Sequence, residues 1–525
     1  MRDARADRWI ALGLGVAYVL WLLASAKSLG YTRDEGFYFV AANDYRSWFQ
    51  LLWQDPGAAL EFGAIDRYFR TNNEHPAGMK LGFAASHWLL HDVLGWLAPG
   101  TAYRFPAMAL SGVAVAVLYD WGTRELGRAA GWVAAAGFAC LPRVFFHAHL
   151  ACFDVPVAAL GLVTFYCYSR SLRSRSRVWV LAAGVAFGAQ LDTKNNSVFL
   201  APAVLLHFAL VSGRRPSLPR AWLALFVLAP LLFFLGWPWL WADPPSRLLD
   251  YARFHLHHDH YNIEFLGLTR YAPPFPRAYA WLMTAATVPL SILVPFLFGL
   301  LIALRAFYDE SRRAGWFRVE LSRPESTWLS WCVALAANYA PWWSADTPIY
   351  GGTKHWITAY PFLCLLAALG AHRVGRVLSL PVATAAAVLA APFAITLSSH
   401  PHGLSSYTPL VGGAVGAAEL GLNRGFWGYE TGALAADLNR VAPRDAPAYL
   451  HDTLGPSFRM LQADGRLRSD LRGSLDLPRS SVALYHHEPH MGRVEGQIWI
   501  AYGTTTPVAI TTHDGVPVAW LYRRP

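Results

Sequence analysis

About eleven apolar stretches, most of them as long as a bilayer-crossing helix, recur along this 525-residue chain and leave few folds open to it. They run at 9–29, 104–121, 129–147, 153–170, 178–191, 197–212, 221–241, 280–304, 327–343, 355–371 and 377–397. Backbone groups in hydrocarbon must be satisfied within the chain, so stretches of this kind fold as helices. The short pair 178–191 and 197–212 falls under the roughly 17 residues that a perpendicular crossing needs. It is either two short spans or a hairpin that does not fully cross.

Composition agrees: 54% of residues are hydrophobic, 15% are charged, and there are 23 Trp, which is the profile of an integral membrane protein. The formal charge of +10 invites a nucleic-acid reading. The basic residues, however, lie in short turns between apolar runs, as topology signals do, and form no single face; no nucleic-acid partner is expected. Cys140, Cys152, Cys167, Cys332 and Cys364 lie mostly inside apolar runs, with no CxxC pair, so neither a disulfide framework nor a cysteine metal site is expected. The first stretch has no small-residue cleavage site and reads as a retained anchor.

Arg2, Arg5 and Arg8 precede the first stretch and predict a cytoplasmic amino end. The apolar run 78–97 carries His87, His91 and Asp92. Counted as a span, it would turn the clusters Arg124/Arg128, Arg173-Arg175-Arg177, Arg214-Arg215-Arg220 and Arg373/Arg376 outward. Read as a helix lying in the outer interface, it leaves all of them inside, with the basic loop 305–325. The expected fold is therefore a polytopic α-helical membrane protein. Residues 1–397 form the transmembrane domain, whose outer loop 30–103 contains the interfacial helix 78–97. Residues 398–525, less apolar and rich in turn signals, form a small extracytoplasmic α/β domain. Its β-like runs lie at 448–451, 482–486, 498–502 and 516–522, and its helical patterns at 429–441 and 455–463.

This topology sends the chemically interesting side chains to one face. Asp34 and Glu35 follow the first span: an acid there is either a base for an incoming acceptor or a helix cap. Glu74, His75 and Lys80 stand where the outer loop returns to the membrane, as a phosphate or metal site or as a plain loop-to-helix junction. Asp154 opens a span, as an N-cap or as a second acid facing Asp34. Lys194 interrupts an apolar hairpin, where a cation suits a lipid phosphate or snorkels to the interface. His255, His257, His258 and His260 crowd one outer loop, which is a partial metal site or a wet loop. Lys354 and His355 open a further span, either to meet the phosphate from the far side or to anchor the helix end.

Tyr-Thr-Arg-Asp-Glu-Gly-Phe-Tyr (31–38), Glu-His-Pro (74–76), Tyr-Arg-Phe-Pro (103–106), Asp154, Thr-Lys (193–194), Phe-Leu-Gly (265–267) and Lys354-His355, in this order, resemble the polyprenyl-phosphate-sugar-dependent glycosyltransferases of the GT-C fold. The nearest branches are the protein O-mannosyltransferases and the aminoarabinose transferases. The resemblance spans roughly 9–400. It implies a bacterial plasma-membrane enzyme that moves a sugar from a polyprenyl-phosphate donor to a protein, lipid or glycan acceptor at the extracytoplasmic face. Asp34 would be the carboxylate beside the reacting centre that acts as the base, with Glu35 and Asp154 as further catalytic acidic residues. Glu74, His75, Lys80, Lys194, Lys354 and His355 would hold the lipid phosphate. A divalent metal at Glu74, His258 and His260 is a further expectation, and no other cofactor is expected. A transporter or flippase with the same span count is the rival class; no repeated halves favour it.

Overall fold

The computed structural model describes residues 4–174, 176–212, 219–314 and 318–525. Arg2, Arg175, Arg214 and Arg215 of the sequence reading lie outside the described residues. All eleven apolar stretches are helical where described. Among the described residues, five helices are long and apolar enough to cross a membrane: Ala4–Ser28, Pro99–Leu126, Leu290–Ala314, Ile357–Val377 and Pro381–Ser399. Arg128–Ala139 and Pro142–Ala148 make a sixth span if counted together across their 65° bend. Pro142 sits at the first turn of the second piece, where its missing N–H costs nothing and its ring ends the first helix. The expected count of about eleven thus contains shorter apolar helices, among them Arg177–Leu191, Asn195–Val211 and Arg220–Gly236.

Close packing holds the bundle. A Cβ on Gly299 would meet the Leu366 carbonyl oxygen at 1.9 Å, and one on Gly370 would meet that of Pro295 at 2.0 Å. Only glycine lets these two backbones approach so nearly, as small residues do between membrane helices. The run 78–97 is not among the helices long and apolar enough to cross a membrane. Gly78–His87 is a ten-residue helix continued by the wider turn Trp88–Val93, and Trp88, Leu89, Val93 and Trp96 are exposed.

The tail carries a five-stranded sheet. With strands β1 (Ile263–Phe265) and β2 (Leu268–Arg270) forming a separate hairpin, the tail strands are β3 (Pro447–Tyr449), β4 (Arg472–Ser474), β5 (Val482–His486), β6 (Ala509–His513) and β7 (Val516–Arg523). The order is β4-β3-β5-β7-β6; β3 runs parallel to both neighbours, and β7 antiparallel to β5 and β6. The β-like run 498–502 is a helix instead, part of Gly492–Tyr502. Ile498 and Tyr502, four residues apart, are buried on one face, whereas Ile500 is 86% exposed. That spacing is helical, although the residue types favour strands.

Tail and outer loop share one apolar core, in which Tyr38, Phe39, Phe146 and Phe153 join Trp427, Leu438, Leu450 and Phe458. A Cβ on Gly30 would strike the Tyr429 carbonyl oxygen at 2.0 Å, so glycine is needed where the first span meets the tail. Ser457 Oγ donates to the Thr32 carbonyl at 2.7 Å, and Arg33 pairs with Asp452 at the same distance. The start of the helix that carries Asp34 is therefore pinned by the tail.

Candidate active site

Thr32 begins the helix Arg33–Gln54 with a reciprocal cap. Its hydroxyl accepts from the Glu35 N–H at 3.3 Å, and Glu35 accepts from the Thr32 N–H at 2.9 Å. The cap uses up Glu35 and turns Asp34 the other way. Asp34 faces a cavity of about 170 Å³ that also brings together His75, Asp154, Lys194, His258, Lys354 and His355. These positions are spread over more than 300 residues of chain, and they arrive from four loops and two helix starts.

Two ion pairs organise the cavity. Lys354 Nζ lies 3.4 Å from Asp34 Oδ2 and 4.3 Å from the centre of the Trp427 ring. Burial pushes the Lys354 ammonium below the ordinary lysine range, and Asp34 and Asp154 oppose that shift. The left-handed residues Gly351 and Gly352 form the turn that delivers it. Lys194 Nζ lies 2.6 Å from Asp154 Oδ1, and His147 Nδ1 lies 3.5 Å from Asp154 Oδ2.

Burial holds three of the wall histidines, His75, His255 and His355, in the neutral form. Burial, aided by Lys80 and Lys194, pushes His75 well below its usual pKa, and its ring packs edge-on against Phe153 at 5.2 Å. It therefore offers hydrogen bonds but no positive charge to a phosphate. Burial likewise lowers His255 to about 4, and its Nε2 contacts the Glu74 carbonyl at 2.9 Å. His258 Nε2 and the Tyr350 hydroxyl are 3.0 Å apart. His355 contacts the Tyr350 backbone and packs against Trp342.

Glu35, Lys80, Glu74, His257 and His260 of the sequence reading stand off the cavity. Glu35 is fully buried, 2.7 Å from Arg104 Nε and 2.8 Å from Arg104 Nη2, and it accepts the Ala151 N–H at 3.0 Å. Lys80 is also fully buried; it donates to the Asn72 carbonyl at 2.6 Å and the His75 carbonyl at 2.9 Å, which fixes the loop holding His75. Burial brings its pKa down to about 7. Glu74 accepts from Asn72 Nδ2 at 2.6 Å. The metal expectation does not fit this arrangement. His260 is exposed against Phe275, His258 is turned to Tyr350, and among the described residues Glu74, His258 and His260 do not bring three ligand atoms together.

The sequence reading missed Tyr38, Phe153, Asn195, Asn196 and Tyr350 in the cavity wall, and gave no role to Arg104. Tyr38 carried a signal, because it lies one helical turn after Asp34 and so shares its face. Arg104 carried a weaker one, as a cation inside an apolar run.

Residues 81–241 match the family model of the dolichyl-phosphate-mannose-protein mannosyltransferases, which covers less than half of the chain. No curated protein matches by sequence. Among solved structures, ArnT from Cupriavidus metallidurans bound to undecaprenyl phosphate is similar with a TM-score of 0.51 at 13% identity, covering 98% of both chains. The apo oligosaccharyltransferase of Archaeoglobus fulgidus has a TM-score of 0.49 at 12% identity, covering 96% of this chain and 72% of its own. The chain is thus a polytopic membrane protein with the GT-C fold and, by the family match inside it, a glycosyltransferase.

Proposed function

We propose that the protein transfers a sugar from a polyprenyl-phosphate donor to an acceptor at the outer face of a bacterial plasma membrane, with its amino end cytoplasmic and residues 398–525 outside. The carrying observation is the convergence of Asp34, Asp154, Lys194 and Lys354 on one cavity walled by neutral histidines and aromatic rings. Such a cavity suits a phosphate held by lysines beside a carboxylate that takes a proton. The solved relative that carries undecaprenyl phosphate supports the donor class.

In this reading the donor phosphate draws Lys354 away from Asp34, because a phosphate offers more charge than one carboxylate. The freed Asp34 carboxylate accepts the proton of the acceptor hydroxyl or amine. The acceptor atom forms its bond to the anomeric carbon from the face opposite the phosphate. The carbon–oxygen bond to the phosphate breaks, and the phosphate leaves with the electron pair. Configuration at the anomeric carbon inverts. Lys194, held by Asp154, and Lys354 stabilise the growing charge on the leaving phosphate. Glu35 acts at a distance by keeping Asp34 pointed at the cavity, and Lys80 does the same for His75. No step runs through a metal.

The test compares the envelope lipids and glycoproteins of cells carrying wild-type protein or Asp34→Asn by mass spectrometry. A sugar-bearing product present with wild type and missing with a normally inserted Asp34→Asn supports the reading. Equal product in both removes Asp34 as the base. Substrate movement across vesicles without a new glycosidic bond would favour the transporter class.

A further inference from the structure

A second cluster of polar side chains lies outside the cavity, at the turn that ends the helix Gly78–His87. His87, His91 and Asp92 each offer a ligand atom, and the three atoms lie within 4.8 Å of one another. The wider turn Trp88–Val93 creates this convergence. An ordinary α-helix brings residues four apart onto one face; widening adds the next residue, Asp92, to the pair His87 and His91. Wide turns of this kind are frequent at functional sites.

The ring chemistry suits a cation. His91 Nδ1 lies 2.9 Å from the Leu97 carbonyl oxygen. A carbonyl only accepts, so Nδ1 carries the hydrogen and Nε2 presents its lone pair. That is how a metal-binding histidine is commonly oriented by its outer partner. His87 Nδ1 is buried without a hydrogen-bond partner and faces Asp92 Oδ2 at 3.5 Å. The His87 ring stacks on Tyr103 at 4.2 Å, which fixes its plane. Arg46, on the helix that carries Asp34, donates to Asp92 Oδ2. Arg46 and Asp92 are each 30% exposed at the side chain, so the arginine can lean into water or remain as the outer partner of the carboxylate.

We infer that His87, His91 and Asp92 form a binding site for a divalent transition metal, zinc being the best match, at the membrane interface. Two imidazoles and one carboxylate, with a fourth position left to water, form a zinc-type ligand set. The bound ion would fasten the interfacial turn to the helix Arg33–Gln54 through the carboxylate shared with Arg46. This site is separate from the sugar-transfer cavity, and its assignment does not rest on the proposed function.

The test is zinc binding to the full-length protein in lipid nanodiscs, measured by metal analysis after equilibrium dialysis and by cobalt visible spectra. Wild type and His258→Gln should hold one zinc per chain with equal affinity and give tetrahedral cobalt bands. His91→Gln and Asp92→Asn should bind at least about tenfold more weakly and lose the bands. Asp92 is exposed, so its variant decides the matter if His91→Gln fails to fold. The inference is overturned if wild type binds no zinc at micromolar concentration, if both variants bind as wild type does, or if only His258→Gln loses the ion.

Discussion

The cavity around Asp34 and the buried knot around Glu35 begin at consecutive residues and end as different kinds of structure. Asp34 is 22% exposed at its side chain, with Lys354 at 3.4 Å and the neighbouring Arg33 at 3.9 Å. Glu35 is fully buried and is used by Arg104, by the Ala151 N–H and by the Thr32 N–H. A carboxylate whose lone pairs are all engaged has no room to take a proton from an acceptor. One met only by Lys354 at 3.4 Å and, more loosely, by Arg33 at 3.9 Å has. What separates the two acids is the wall each one meets: Lys354 on a glycine turn for Asp34, and a rigid guanidinium inside a helix for Glu35.

The comparison breaks first at Asp34. Asp34→Asn should lower transfer by at least about a hundredfold while the thermal midpoint stays at the wild-type value, read by product formation and by melting of the same sample. Glu35→Leu should do the reverse. Breaking a buried ion pair costs about 3–5 kcal/mol, so little folded protein should be recovered, and what folds should melt early. The double variant Glu35→Leu with Arg104→Met should regain part of that stability, because no charge is left alone. At the next level, Lys194→Met and Lys354→Met should each weaken donor binding by about 10–100-fold, the worth of a charge-assisted contact, measured by titration with a short-chain polyprenyl phosphate. The smallest effect concerns pH. Since burial lowers the Lys354 pKa, the fraction of charged Lys354 falls at a pH below that of a free lysine, and donor affinity should fall with it. In Lys354→Arg, whose guanidinium stays charged, that alkaline loss should disappear.

Local pattern made much of the fold legible. The helical runs of the bundle follow from apolar length, and the strand Val482–His486 and the helix Gly455–Ala463 from local residue type and pattern. The helix at Gly492–Tyr502 was misread because Ile, Trp and Tyr in sequence suggest a strand, whereas its burial repeats every fourth residue. The site was legible as residue types at one face, since charges in a membrane chain are costly and point to function. Pairing was not legible. Nothing near Asp34 says that its partner stands at 354, nor that Asp154 meets Lys194, because those contacts depend on how distant helices cross. Nor could the sequence divide Asp34 from Glu35; only Arg104, about seventy residues later, does that. The neutral state of His75 is likewise a product of burial, invisible until Phe153 and Tyr38 surround the ring.

The account's central claim is that the two lysines hold the donor phosphate and Asp34 performs the chemistry. Donor binding and single-turnover transfer, measured side by side on Asp34→Asn and on Lys194→Met with Lys354→Met, test it most directly. The proposed mechanism predicts that Asp34→Asn binds the donor at least as tightly as wild type and loses turnover, whereas the double lysine variant loses the affinity. Retained turnover in Asp34→Asn, or wild-type donor binding without both lysines, would contradict it.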